Sequence, residues 1–382
     1  MNIIFLDCTQ NYGYQYSAAN TKVEFLAKGL YLLGNNCIIH NGLIGNSKIE
    51  NKEKKQIPNI GDVITYSKKT NQLISWIINL PSLVNDLKKF YIKDKKNIII
   101  LEAPDYHLFL IYVLLARIFK YKVVTISHEW TTTISSTHLL RKPSTFLYAT
   151  TFGYFSDAIL PISEFIIKKI AHFKKPFIKI PIIAEYNQIN LEKNHNNKYF
   201  LYCVYVVYKR TIIPIIDAYN EFQQENKSNI QLILVLSGDI KQIAEIQKYI
   251  NGIGQTTNII IKTAIPFKEL IKLYTNALAL IIPLDPKNNQ DEARFSQKIA
   301  EYLSSGSPII SNNVGEIKHY FTDKENIILS EYSSKGFAST FRWISKNQDE
   351  ARQIGINGFN LGKQEFDYRK LSQQLHKFLH TL

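Results

Sequence analysis

The chain has 382 residues, enough for about two domains of ordinary size. Hydrophobic residues at 45% and charged residues at 20% exclude a disordered, collagen-like or coiled-coil chain. The formal charge of +14, from 46 Lys and Arg against 32 Asp and Glu, favours anionic ligands, membrane surfaces or nucleic acid, although a codon bias toward Lys, Ile and Asn gives the same sign.

Nucleic acid is set aside, because the 23 Tyr and 21 Phe are nowhere interleaved with basic residues as a single-strand groove requires. Cys8, Cys37 and Cys203 show no CxxC or zinc-type spacing, which excludes a disulfide framework and fits a reducing, cytoplasmic compartment. The start, Met1-Asn2-Ile3-Ile4-Phe5-Leu6-Asp7, lacks the basic region of a targeting segment and reads as a first strand.

Apolar runs at residues 3–6, 37–40, 97–101 and 123–127 alternate with helical patterns at 18–33 and 106–119. The longest apolar run, 108–119, is broken at Ala116-Arg117 and falls short of the roughly 20 residues that span a bilayer, so it reads as a buried helix. Residues 47–96 are polar and Lys-rich with apolar islands such as 73–80, and yield no clear pattern. Residues 188–198, rich in Gln, Asn, His, Lys and Glu, suit a linker.

A second series follows, with strand-like runs at 199–204, 230–236, 258–261, 278–283 and 308–311. Its clearest helix starts after Pro266 and sets Phe267, Leu270, Ile271 and Tyr274 on one face. Alternation of this kind predicts parallel sheets with crossover helices. The expected fold is α/β, with two doubly wound Rossmann-like domains, 1–187 and 199–364, facing across a cleft that holds the ligand.

Residues 291–310 are the most informative stretch. Phe295, Ile299, Tyr302 and Leu303 make an apolar helical face, Gly306 stops the helix, and Pro308 opens the next strand. On that helix Arg294 and Lys298 lie one turn apart and Glu301 one turn further. Cations and free N–H groups at a helix start hold phosphate, and a carboxylate further along accepts hydrogen bonds from sugar hydroxyls. In outline this is a nucleotide-sugar site.

Glu301-Tyr302-Leu303-Ser304-Ser305-Gly306-Ser307-Pro308-Ile309-Ile310 resembles the donor-site signature of the family 4, or group 1, glycosyltransferases of the GT-B fold. The resemblance implies that Glu301 holds the donor's ribose, with Arg294, Phe295 and Lys298 on the same side. The family's first Glu, at the transferred sugar, falls at Ala293 here, so that either Asp291 or Glu292 substitutes from the preceding loop or the sugar is handled differently. Residues 202–219 are similar to the family's phosphate turn. Val204 and Tyr205 stand where Gly-Arg is expected and Arg210 takes the Lys position, so that Lys209 and Arg210 serve a pyrophosphate as charge-assisted donors. His128, at the end of the strand-like run before Glu129 and Trp130, inherits contact with the donor sugar and its leaving group, its two neighbours facing the acceptor.

Weaker similarities are the tyrosine-rich loop Asn11-Tyr12-Gly13-Tyr14-Gln15-Tyr16 before an N-cap Ser17, residues 156–164, and Asn313-Val314-Gly315-Glu316. The resemblance implies a final helix at 365–382 packing back toward the first domain. It also implies retaining transfer of a sugar, without metal or cofactor, from a nucleoside diphosphate sugar to a hydroxyl of a glycan or lipid-linked acceptor. Bacterial surface polysaccharide assembly near the inner membrane is the setting it suggests. A nucleotide-sugar epimerase or hydrolase stays open, as does a degenerate scaffold marked by Val204, Tyr205 and Ala293. Gly252-Ile253-Gly254 follows a helix rather than a strand, and no Walker, GxSxG or HExxH sequence occurs. The basic, apolar stretch 166–180 reads first as a solvated helix end, and would rest on an anionic leaflet only if its helical part is exposed.

Overall fold

The computed structural model describes residues 1–9, 12–14, 17–69, 71–103, 105–133, 141–187, 198–226, 228–253 and 258–382. Asn11, Gln15, Tyr16, Gly254 and nearly all of the expected linker lie outside them. The chain divides into two compact units. The first comprises Met1–Ala184, Ala293–Gln297 and Phe366–Leu382, and the second Glu185–Glu292 and Lys298–Glu365.

In the first unit the elements run β1 (Asn2–Leu6), α1 (Ala18–Leu32), β2 (Asn36–His40), β3 (Glu53–Ile57), β4 (Gly61–Thr65), α2 (Gln72–Phe90), β5 (Asn97–Leu101), α3 (Tyr106–Ile118), β6 (Lys122–Ser127), α4 (Lys142–Phe155), β7 (Ala158–Pro161) and α5 (Glu164–Ile170). The sheet order is β3-β4-β2-β1-β5-β6-β7, parallel throughout except for the β3–β4 hairpin at its edge. Strands β1 and β5 are buried at every residue, which is why they read as continuous apolar runs. Strand β3 alternates half-buried and exposed residues with no apolar face, so the stretch around it gave no pattern. Ser17 starts α1 by accepting the Asn20 N–H at 3.1 Å. Helix α5 is only seven residues long, with Ile166 and Ile170 buried, and Lys174 then turns the chain at φ 53°. Lys168 and Lys169 are exposed, so the basic stretch is a solvated helix end with its apolar side packed inward.

The second unit runs β8 (Tyr199–Tyr205), α6 (Lys209–Asn226), β9 (Gln231–Ser237), α7 (Ile240–Gly252), β10 (Ile259–Lys262), α8 (Phe267–Asn276), β11 (Ala279–Ile282), α9 (Asn289–Ala293), α10 (Gln297–Ser305), β12 (Ile309–Ser311), α11 (Ile317–Tyr320), β13 (Ile328–Leu329), α12 (Ser334–Lys346) and α13 (Gln348–Glu365). Its sheet is ordered β10-β9-β8-β11-β12-β13, with every pair parallel. This is the doubly wound order whose reversal, between β8 and β11, opens a crevice beyond the strand ends. Gly306, at φ +67°, ends α10 in the left-handed region that a helix stop requires.

One expected helix is two. Phe295, Ile299 and Tyr302 fit a single apolar stripe, but the chain leaves helical geometry at residues 294–296, between α9 and α10. Tertiary contacts within the first unit cause the break: Phe295 packs edge-on against Phe366 at 5.6 Å, Ser163 Oγ donates to the Ala293 carbonyl at 2.6 Å, and Gln297 accepts the Ile183 N–H at 3.1 Å. Arg294 and Lys298 are accordingly not neighbours on one helix face.

The C-terminal helix, α14 (Tyr368–Thr381), completes the first unit. Asp367 caps it, and backbone bonds from Ala184 N to Phe366 O and from Tyr368 N to Ala184 O fix its entry. Leu371, Leu375 and Leu379, spaced four apart, share a core with Val23, Leu26 and Leu30 of α1 and with alternate residues of β1 and β5. Among the described residues no helix is long and apolar enough to cross a membrane. Leu375 has no exposed surface. Replacing it by Ala should cost about 2–5 kcal/mol in urea denaturation, against less than about 0.5 kcal/mol for the exposed Lys377→Ala. Equal, small losses would show that α14 does not hold the first unit's core.

Candidate active site

Each unit gathers polar groups where its strand order reverses, and each set stands by itself. In the second unit, Arg210 lies in the first turn of α6, directly after the strand β8 that adjoins the switch point. Its Nη2 donates to Asp291 Oδ2 at 2.8 Å, and Asp285 Oδ2 is 3.8 Å from Nη1. Asp291 is completely buried and also accepts the Asp285 N–H at 3.0 Å, so one carboxylate ties α6, the loop after β11 and α9 together. Arg210 Nη1 is buried and has no hydrogen-bond partner among the described residues. A charged donor in that condition is costly, and a ligand oxygen would satisfy it.

Asn312, just past β12, accepts the Leu284 N–H and donates to the Ser330 carbonyl, both at 2.8 Å. It stitches the loops after β11, β12 and β13 into one floor. Glu301 is buried on α10, where Tyr274 and Lys298 reach its Oε2 at 3.4 and 3.5 Å. Burial works against the Lys298 charge, but the Glu301 carboxylate overrides it and holds the ammonium above its usual pKa. Glu301 is thus no ordinary surface carboxylate.

Other expected residues are engaged elsewhere. Glu292 sits in α9 rather than in a loop. Burial opposes its charge, but Lys318, at 3.0 Å, and the Gly315 N–H, also at 3.0 Å, hold its pKa below the usual carboxylate value. A substitute for the missing sugar-binding Glu at Ala293 would have to leave these partners. Lys209 forms an exposed pair with Glu245 at 2.9 Å, which leaves Arg210 as the cation of the β8–α6 turn. Phe295 is core of the first unit, and Arg294 lies in the break beside it. Neither is placed as a ribose or phosphate contact by the helix expected from sequence.

In the first unit, Asp7, Glu102 and His128 follow the ends of β1, β5 and β6, with Leu6 paired to Leu101 across the switch point. His128 Nδ1 lies 2.6 Å from Glu102 Oε2, and its backbone N–H also reaches Glu102 at 3.3 Å. Against a carboxylate, Nδ1 is the donor, which leaves Nε2 facing away from Glu102. Nε2 is buried and has no hydrogen-bond partner among the described residues. Glu102 was missed in the sequence; the signal was a carboxylate directly after the apolar run 97–101. Burial also lifts the Asp7 carboxyl well above its usual pKa, although the Tyr112 hydroxyl donates to it at 3.2 Å. Gly42 leaves space for that carboxyl, since a Cβ there would lie 2.5 Å from Asp7 Oδ1.

Two switch-point sites on doubly wound sheets define a class, the GT-B fold, and the comparisons agree. Residues 185–361, most of the second unit, match the family model described as Glycosyl transferases group 1. Sucrose-phosphate synthase from Thermosynechococcus elongatus superimposes with a TM-score of 0.74 at 14% identity, over 100% of this chain and 98% of that one. Anabaena HepE in complex with UDP-glucose gives 0.73 at 13% identity, over 100% of both chains. The pneumococcal O-GlcNAc transferase GtfA, in complex with UDP and GlcNAc, gives 0.67 at 10% identity, over 100% of this chain and 99% of that one. At such identities the likeness is one of fold. No curated protein matches the sequence.

Lys22 provides a test of the first unit's polar interior. Burial pushes its ammonium down to about 7, against the pull of Glu102, while Nζ donates to the Ile180 carbonyl at 2.7 Å. Between pH 7 and its ordinary value of 10.5, the unfolded chain binds a proton there that the folded chain does not. Stability from this group therefore rises with pH, by at most about 1.4 kcal/mol per unit. Urea titrations at pH 7 and 9 should show wild type gaining on Lys22→Met; a constant difference would place the ammonium in a charged state throughout.

Proposed function

We propose that the protein transfers a sugar from a nucleoside diphosphate sugar to a hydroxyl of a glycan or lipid-linked acceptor, with retention of configuration, in surface polysaccharide assembly. The observation that carries this reading is the buried, unbonded Nη1 of Arg210 at the switch point of the unit that matches the group 1 glycosyltransferase model. The UDP-glucose bound to Anabaena HepE and the UDP and GlcNAc bound to GtfA support the ligand class.

In this reading Arg210 takes a diphosphate oxygen with the arm that Asp291 leaves free, and Glu301 receives the ribose hydroxyls. The bond from the sugar's anomeric carbon to the phosphate oxygen breaks, the acceptor oxygen bonds to that carbon, and the acceptor's proton passes to the departing phosphate. Charge accumulates on the leaving group, where a preorganised guanidinium is most effective. In the first unit, Glu102 holds His128 so that Nε2 is open to a sugar hydroxyl. Charge compensation comes from side chains of the chain itself, without a metal.

A second reading, a degenerate binding scaffold, is favoured by one observation: Arg210 already faces the carboxylates of Asp291 and Asp285, which weakens its hold on a diphosphate. Calorimetry on the Glu301→Gln variant decides the ribose assignment. The substitution keeps the shape of the side chain and removes its charge, so nucleoside diphosphate affinity should fall at least about tenfold while the melting temperature changes little. Unchanged affinity would remove Glu301 from the site.

A further inference from the structure

The crossovers of the first unit sort its helices by face. From β1 the chain steps through β2 to β4 on one side, then returns through β5, β6 and β7 on the other. Right-handed crossovers then place α2, α3 and α4 together on the sheet face opposite α1. These three helices form the outer layer there, and its solvent side is apolar. Leu73, Ile77 and Ile78 on α2, Leu114 and Ile118 on α3, and Phe146 on α4 are between 49 and 63% exposed.

The charge on this layer has one sign. The three helices contain a single acid, Asp86, which is buried against Tyr66 and Lys52. Lys88 and Lys89 end α2 on its exposed side, and Arg141 and Lys142 begin α4 exposed. Exposed leucine, isoleucine and phenylalanine between lysines and arginines, on helices that themselves carry no exposed carboxylate, complement a surface that is apolar below and anionic above. A second copy of the same face would bring like charges together.

We propose that the α2–α3–α4 face of the first unit docks on an anionic lipid bilayer, its apolar side chains entering the headgroup boundary and its lysines and arginines meeting lipid phosphates. Such binding draws on buried apolar area and on electrostatic attraction together, with about a fivefold gain for each basic residue at the surface. The proposal is independent of the sugar-transfer reading, because no residue of either switch-point site takes part.

The test is co-sedimentation of the full chain with vesicles of phosphatidylcholine alone or mixed with phosphatidylglycerol. Wild type should bind the mixed vesicles at low salt and release them as salt rises, because screening shortens the reach of the basic groups. The Ile77→Glu/Leu114→Glu variant changes exposed positions only, so it should keep the wild-type melting temperature and bind at least about tenfold less. Lys88→Glu/Lys89→Glu should lose the preference for phosphatidylglycerol. No sedimentation of wild type, equal binding by the apolar variant, or a self-association that this variant abolishes in the absence of lipid would each overturn the proposal. Nucleotide affinity, measured alongside, is expected to be the same in all variants.

Discussion

The second unit depends on a carboxylate that water does not reach. Asp291 is fully buried, and taking such a group out of water costs several kcal/mol unless opposite charge and hydrogen bonds replace the solvent. Arg210 and the Asp285 N–H provide them. The same bonds, both made to Asp291 Oδ2, fix the guanidinium at the mouth of the β8–α6 turn and draw the loop after β11 toward it. The arm of Arg210 that Asp291 does not occupy is then aimed without further ordering, which is the preorganisation that electrostatic stabilisation of a leaving group needs. The glycine expected in this turn is absent; Val204 and Tyr205 stand there instead.

The first unit uses the same device with different chemistry. A carboxylate after one strand, Glu102, orients an imidazole after the next, His128, and leaves one ring nitrogen without a partner among the described residues. Residues that follow adjacent parallel strands emerge side by side, so a two-group site needs no sequence proximity. The first unit's rigidity comes in part from α14, whose leucines close the sheet face that α1 begins.

Much of the fold was legible because buried parallel strands are continuous apolar runs and crossover helices are periodic; 97–101 and 267–274 show both. The β3–β4 hairpin was not, since an edge strand with Glu53, Lys54 and Lys55 has no apolar signature. Nor was the break at 294–296, where the spacing of Phe295, Ile299 and Tyr302 suits a continuous helix and only Phe366 and Ile183, distant in sequence, dictate otherwise. Site residues divide in the same way. His128 and Arg210 follow strands whose apolar runs are legible in the sequence. Their partners Glu102 and Asp291, and the diversion of Lys209 to Glu245 and of Glu292 to Lys318, are set by tertiary contacts that no local pattern encodes.

The central claim is that the second unit binds a nucleoside diphosphate through Arg210. Thermal unfolding of the full chain with UDP, GDP, ADP and CMP in turn tests it most directly, because a ligand that binds only the folded state raises the melting temperature, by an increment that grows with its concentration over Kd. The account predicts a selective rise with one nucleoside diphosphate that Arg210→Met abolishes. No rise with any of them at millimolar concentration and low salt, or a rise that the variant retains in full, would contradict it.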